Sequence, residues 1–181
     1  MHRIPHCLIH KGIDLEFTFS VGEILHEVQQ HCYTAGEVIK GTSENQIDVH
    51  TTQDVLDDIN AEIISTSVER YMLHCMNTFL YPYAKGEVVK KHDDNKYKEV
   101  DVYLLKLHFK NSIAAMQANY LKRLINDYVV YRCVTDWLAT TAPQAHNAQV
   151  YLDKVEEIKN EICGCLSRQN RGRVRLGNNW Y

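Results

Sequence analysis

Residues 128–138, YVVYRCVTDWL, would be apolar on nearly every side of a helix. A helix at a protein surface keeps a polar stripe toward water, so this stretch needs other elements packed all around it. It lies within IAAMQANYLKRLINDYVVYRCVTDWLAT (113–140), which is therefore expected to run through the middle of a helical bundle. A chain of 181 residues, 45% hydrophobic and 24% charged, can build that core as one domain without metal or disulfide staples.

Three more helices are predicted around the central one. VGEILHEVQQHCYTAGEVI places Ile24, Leu25, Val28 and Cys32 at helical spacing, and Gly36 is expected to end or weaken it. TTQDVLDDINAEIISTSVERYMLHCMNTFL can be capped by Thr51 or Thr52, with Asp54, Asp57 and Asp58 near its positive end. Its apolar stripe reads Val55, Leu56, Ile59, Ile63, Val68, Met72, Cys75 and Phe79, and the YPY at 81–83 stops it. After Thr141 and Pro143, the last helix sets Ala148, Leu152, Val155, Ile162 and Leu166 on one face. Asp153, Glu156, Glu157 and Glu161 lie elsewhere on it, so it should pack once, against the central helix.

Two regions alternate with a period of two, as strands do. DLEFTFSV, near residue 14, is the first. In the second, Tyr103, Leu105, Leu107 and Phe109 alternate with Leu104, Lys106 and His108, and a shorter β-prone stretch lies near 86–90. The hydrophilic KKHDDNK between them makes a β-hairpin with a charged tip, expected to project from the body as a contact arm. Tyr97 and Tyr103 in this hairpin are candidate partner-binding residues, because tyrosine offers rigid apolar area with a polar tip; packing at the base of the hairpin is the equal alternative.

The expected fold is mainly α: about four helices in a bundle, a protruding hairpin near 84–109 and a basic tail. One domain covers 1–181, with an N-terminal segment (1–50) carrying one helix, a core (51–166) and the tail (167–181).

That tail, RQNRGRVRLGNNWY, holds Arg168, Arg171, Arg173 and Arg175, no acid, and ends in Trp180 and Tyr181. The whole chain carries −3, so the other 167 residues carry −7. Three uses fit the tail. As a nucleic-acid arm it could neutralise phosphates and stack an aromatic ring on a base, although the acidic body would repel a duplex. As a strap it could pair with acidic faces of neighbouring copies, such as 153–161, with Trp180 as an anchor. It could also be an end with no role.

Catalytic and metal-binding chemistry finds little support. Six cysteines at 7, 32, 75, 133, 163 and 165 have no framework spacing, and Cys163-Gly-Cys165 is one residue too tight for a redox pair, so reduced and mostly buried thiols are expected. His2, His6 and His10 flank Cys7, but Pro5 opposes the helix that would align them, and no zinc motif is present. Asp57-Asp58 and Asp93-Asp94 are adjacent and point apart. Asp127 and Asp136, in the central helix, are expected to meet Arg123 or Arg132 before any substrate. No nucleophile elbow or phosphate loop occurs, and no apolar run reaches membrane-spanning length. No cofactor, metal or enzymatic activity is expected.

The layout of DVYLLKLHF (101–109), YVVYRCVTDWLATTAP (128–143) and RQNRGRVRL (168–176) resembles the head–tail connector (adaptor or neck ring) proteins of tailed bacteriophages, in particular those of phages and prophages of gut Bacteroidetes. The resemblance covers about residues 52–176. It implies a non-catalytic virion protein, assembled in the host cytoplasm into an oligomeric ring. Its partners would be other copies of itself and portal or tail proteins, with DNA passing nearby and no membrane. A helical nucleic-acid-binding protein using the arginine-rich tail is the alternative.

Overall fold

A computed structural model of the chain describes residues 12–42, 58–92, 100–109, 115–141 and 147–170. Among them are four α-helices, α1 (Val21–Thr42), α2 (Asp58–Cys75), α3 (Ala115–Thr141) and α4 (Asn147–Asn170). Three strands, β1 (Ile13–Ser20), β2 (Val89–His92) and β3 (Val100–Phe109), form one antiparallel sheet in the order β1-β3-β2.

The central-helix expectation holds. Tyr128, Val129, Val130, Cys133, Val134, Trp137 and Leu138 are all buried, and α3 touches α1, α2, α4 and β1. The four residues between these buried positions, Tyr131, Arg132, Thr135 and Asp136, are partly exposed, so the stretch keeps a narrow polar edge toward water.

The other stripes follow the sequence reading except at Ile63 and Leu152: on α1, Ile24, Val28 and Cys32 are buried and Leu25 packs against them. On α2 the inward positions are Ile64, Val68, Tyr71, Met72 and Cys75, whereas Ile63 is 54% exposed. Helical spacing itself selects Ile64, which lies four and eight residues before Val68 and Met72, over Ile63. After Cys75 the helix widens into a π turn (Met76–Leu80) and then tightens into a 3-10 turn (Tyr81–Tyr83). The widened turn buries both Phe79 and Leu80, and Pro82, lacking an N–H, closes the element. The expected start of this helix at Thr51 or Thr52 lies outside the described residues. On α4 the buried face is Val155, Ile162, Cys165 and Leu166, with Ala148, Tyr151 and Ile158 packed beside it; Leu152 is turned out. Gly36 does not end α1, which runs on to Thr42.

The hairpin forms between β2 and β3, with its tip outside the described residues, but it is not a bare ribbon. β1 lies along the other edge of β3, from Ile13 opposite Phe109 to Ser20 opposite Val102. β3 is thus the middle strand, and its alternation sends Tyr103, Leu105, Leu107 and Phe109 into the core beside Phe17 and Phe19. The outer face carries Asp14, which bonds both Lys85 and His108 at 2.6 Å. Gly12 sits so close to His108 and the Phe109 carbonyl that an added Cβ would fall 2.6 Å from each. Only glycine fits at that approach.

Candidate functional site

Two grooves flank α3, one on each side. The first is a cleft of about 690 Å³ between α1 and α3, with Thr18 and Phe19 of β1 at its mouth. Helical spacing builds both walls. Glu23, Glu27 and Gln30 stand on successive turns of α1, and Asn119, Arg123, Asn126 and Asp127 on successive turns of α3.

Inside this cleft the polar groups turn to one another. Asn126 Nδ2 donates to Glu27 Oε2 at 2.8 Å. Arg123 Nε lies 3.7 Å from Asp127 Oδ2, and Lys122 Nζ lies 5.8 Å from the centre of the Phe19 ring. At the far end the His31 imidazole packs against Tyr131 and Tyr151, with ring centres 4.9 and 5.8 Å away, and Lys154 Nζ lies 5.3 Å over Tyr131. The Tyr151 hydroxyl donates to the His31 carbonyl at 3.3 Å.

Burial lowers the His31 pKa, and the charge of Lys154 adds to that. Burial also raises the Asp127 carboxyl, opposed by Arg123 and reinforced by Glu27. A carboxyl that holds its proton harder and an imidazole that holds it less tightly are the groups proton transfer calls for, and an enzymatic reading would have to begin here. Among the described residues, no group of three or more His, Cys, Asp or Glu is placed to hold a metal ion. The buried thiols are poor nucleophiles: burial pushes Cys32 up to about 12 and raises Cys75, Cys133 and Cys165 as well.

The second groove, about 640 Å³, lies between the first half of α3 and the last half of α4. α3 supplies Gln117 and Tyr120, and α4 supplies Glu157, Glu161, Gly164 and Arg168. The Tyr120 hydroxyl donates to the Glu161 carboxylate while its ring remains 47% exposed, and Met116 beside it is 83% exposed. A Cβ added at Gly164 would meet nothing within 4 Å. The acids predicted to lie off the packed face, Asp153, Glu156, Glu157 and Glu161, are all exposed. Glu156 pairs with Lys159 at 2.9 Å, and Asp153 accepts from Gln149 at 2.8 Å.

A third polar cluster bridges α2 and α3. The Tyr71 hydroxyl donates to Asp136, and the Arg132 guanidinium lies 4.8 Å over the Tyr71 ring. Burial first, then the bond to Asp136, pushes Tyr71 up to about 12. Arg132 Nε is buried and makes no hydrogen bond among the described residues. Asp127 therefore meets its expected arginine, whereas Asp136 meets a tyrosine hydroxyl with Arg132 stacked behind it.

The residues expected to bind partners fare differently. Tyr103 is 1% exposed, on the buried face of the middle strand, and that corrects its assignment: a side chain enclosed by its own core offers nothing to a partner. Arg168 is exposed on α4 and lines the second groove. Tyr97, Arg171, Arg173, Arg175, Trp180 and Tyr181 lie outside the described residues, as do His2, His6, His10 and Cys7. Sequence reading missed Met116, Tyr120 and Gly164. The signal available for Gly164 was a glycine inside a long amphipathic helix, a position that costs helix stability.

Among the described residues no helix is long and apolar enough to cross a membrane. Comparisons with protein-family models, with characterised proteins and with solved structures find no match for this chain.

Proposed function

We propose that this chain is a non-catalytic assembly protein, a joint between other proteins, of the kind that forms an oligomeric head–tail connector ring in a phage virion. The observation that carries the reading is the outer side of α4. The helix buries Val155, Ile162, Cys165 and Leu166 along α3 and turns outward four acids together with Val150, 48% exposed, and Leu152, 36% exposed. Acids interleaved with exposed aliphatic residues beside an unfilled groove make a surface suited to protein contact. A ring needs heterologous contacts, one face of each copy fitting a different face of the next. An acidic helix face and an arginine-rich end are such a pair, and opposite charge sets both the rate and the register of their meeting.

Light scattering and sedimentation across protein concentration and salt test this. Association should grow with concentration and weaken with salt, since the charges involved are exposed. A chain that stays monomeric throughout, and also fails to bind purified portal and tail proteins, sinks the reading. Duplex binding with a salt slope of about −3 to −4, lost when the arginines are replaced, would put the nucleic-acid reading in its place.

A further inference from the structure

We infer that the α3/α4 groove is the acceptor half of the joint, and that its occupant is the arginine-rich end of a second copy. This rests on the assembly reading above and goes further by naming both halves of the contact.

Gly164 is the first support. Glycine is the least favourable residue in a helix interior after proline, and nothing among the described residues asks for it. Among the described residues only Gly86 has a positive φ, so the backbone at 164 suits any residue. A Cβ there would meet nothing within 4 Å among the described residues, so packing does not exclude one either. What the missing side chain does is hold open the floor of the groove, where a second chain can approach the helix backbone closely.

Charge spacing is the second support. Asp153, Glu157 and Glu161 stand at four-residue steps on α4, about 6 Å apart along the axis. In RGRVRL, Arg171, Arg173 and Arg175 alternate with Gly172, Val174 and Leu176. An extended segment puts alternate residues on one side, about 6.6–6.8 Å apart. Three arginines can thus meet three acids in step, while Val174 and Leu176 turn to the exposed Met116 and Tyr120. Arg168, at the end of the groove, repels the incoming arginines and directs them toward Glu157 and Glu161.

Complementation between two full-length variants tests the pairing. Gly164→Trp fills the groove and leaves the tail intact. The triple change Arg171→Ser, Arg173→Ser, Arg175→Ser disables the tail and leaves the groove intact. Each variant alone should self-associate at least about thirtyfold more weakly than the wild type, the range of a lost hot spot. Mixed, they should form a 1:1 dimer and stop there, since only one groove and one tail remain. Glu157→Lys, on the exposed helix face, replaces Gly164→Trp if the tryptophan variant does not fold.

Four outcomes overturn the inference. Undiminished association by both variants means that assembly uses other surfaces, and the assembly reading survives. Loss in both with no rescue on mixing means that the tail is not the occupant. A monomeric wild type whose tail crosslinks to its own groove means that the occupant is intramolecular. A wild type that neither self-associates nor binds portal and tail proteins removes the assembly reading as well.

Discussion

The two grooves beside α3 are nearly equal in volume and differ in what their walls do. In the α1/α3 cleft, carboxylates, amides and rings are committed to one another: Glu27 to Asn126, Asp127 to Arg123, His31 to Tyr131 and Tyr151. In the α3/α4 groove the Tyr120 hydroxyl bonds Glu161, but the Tyr120 ring faces water, as does Met116 one turn before it on the same helix, and Gly164 leaves the floor open. A concave polar surface whose groups satisfy each other behaves as part of the fold, whereas one whose apolar atoms stay wet is the better place to seek a partner.

If that contrast is sound, truncation should hurt the first groove far more than the second. Tyr131→Ala, which removes a half-buried ring packed on His31 and Tyr151, should cost roughly 2 kcal/mol, about half the loss for a fully buried aromatic. Met116→Ala should move denaturant-melt stability by less than about 0.5 kcal/mol. Equal effects would erase the distinction.

A smaller difference should appear for single hydrogen bonds. Asn126→Ala removes the donor to Glu27 and should cost about 1 kcal/mol. Tyr120→Phe, which removes the exposed bond to Glu161, should be close to neutral for stability. A costly Tyr120→Phe would mean that the second groove is also structural.

The smallest effect is a pH dependence confined to the cleft. The folded-state pKa of His31 lies below its ordinary 6.5, so the unfolded chain binds the proton more readily. Stability from this group is present above pH 6.5 and is lost as pH falls from there through the folded-state value. Melting temperature should therefore decline on mild acidification, and His31→Gln should flatten that decline. An unchanged slope in the variant assigns the acid sensitivity elsewhere. Asp127 works in the opposite direction: its raised pKa makes the charged form a burden that grows as pH rises through the folded-state value, so Asp127→Asn should stabilise the protein at neutral pH.

Much of this architecture was legible from periodicity. The all-round apolar run at 128–138 announced the central helix, and the two-residue alternation at 103–109 announced the strand. The four-residue steps to Val68 and Met72 pointed to Ile64 ahead of Ile63 on α2, whereas Leu152, three residues before the buried Val155, turns outward although its spacing allows the packed face. Local pattern does not show that β1 would cover the hairpin, because that pairing joins residues about ninety positions apart; Tyr103 therefore read as a contact residue when it is a core residue. The candidate site was legible only in part. Exposed acids on α4 followed from amphipathicity, and Gly164 stood out as a glycine inside a helix, but which residues of α3 would face it is a tertiary fact that local pattern does not carry.

The placement of β1 also dictates an order of events. Ser20 can find Val102, and Ile13 can find Phe109, only after more than half of the chain has been synthesised. Until then Phe17 and Phe19 have no sheet to join, and closing so long a loop is among the slower steps a small domain takes. A cut or fusion between α1 and α2 would therefore separate two halves of one sheet, and material starting at residue 21 would leave the first edge of β3 bare to any passing strand.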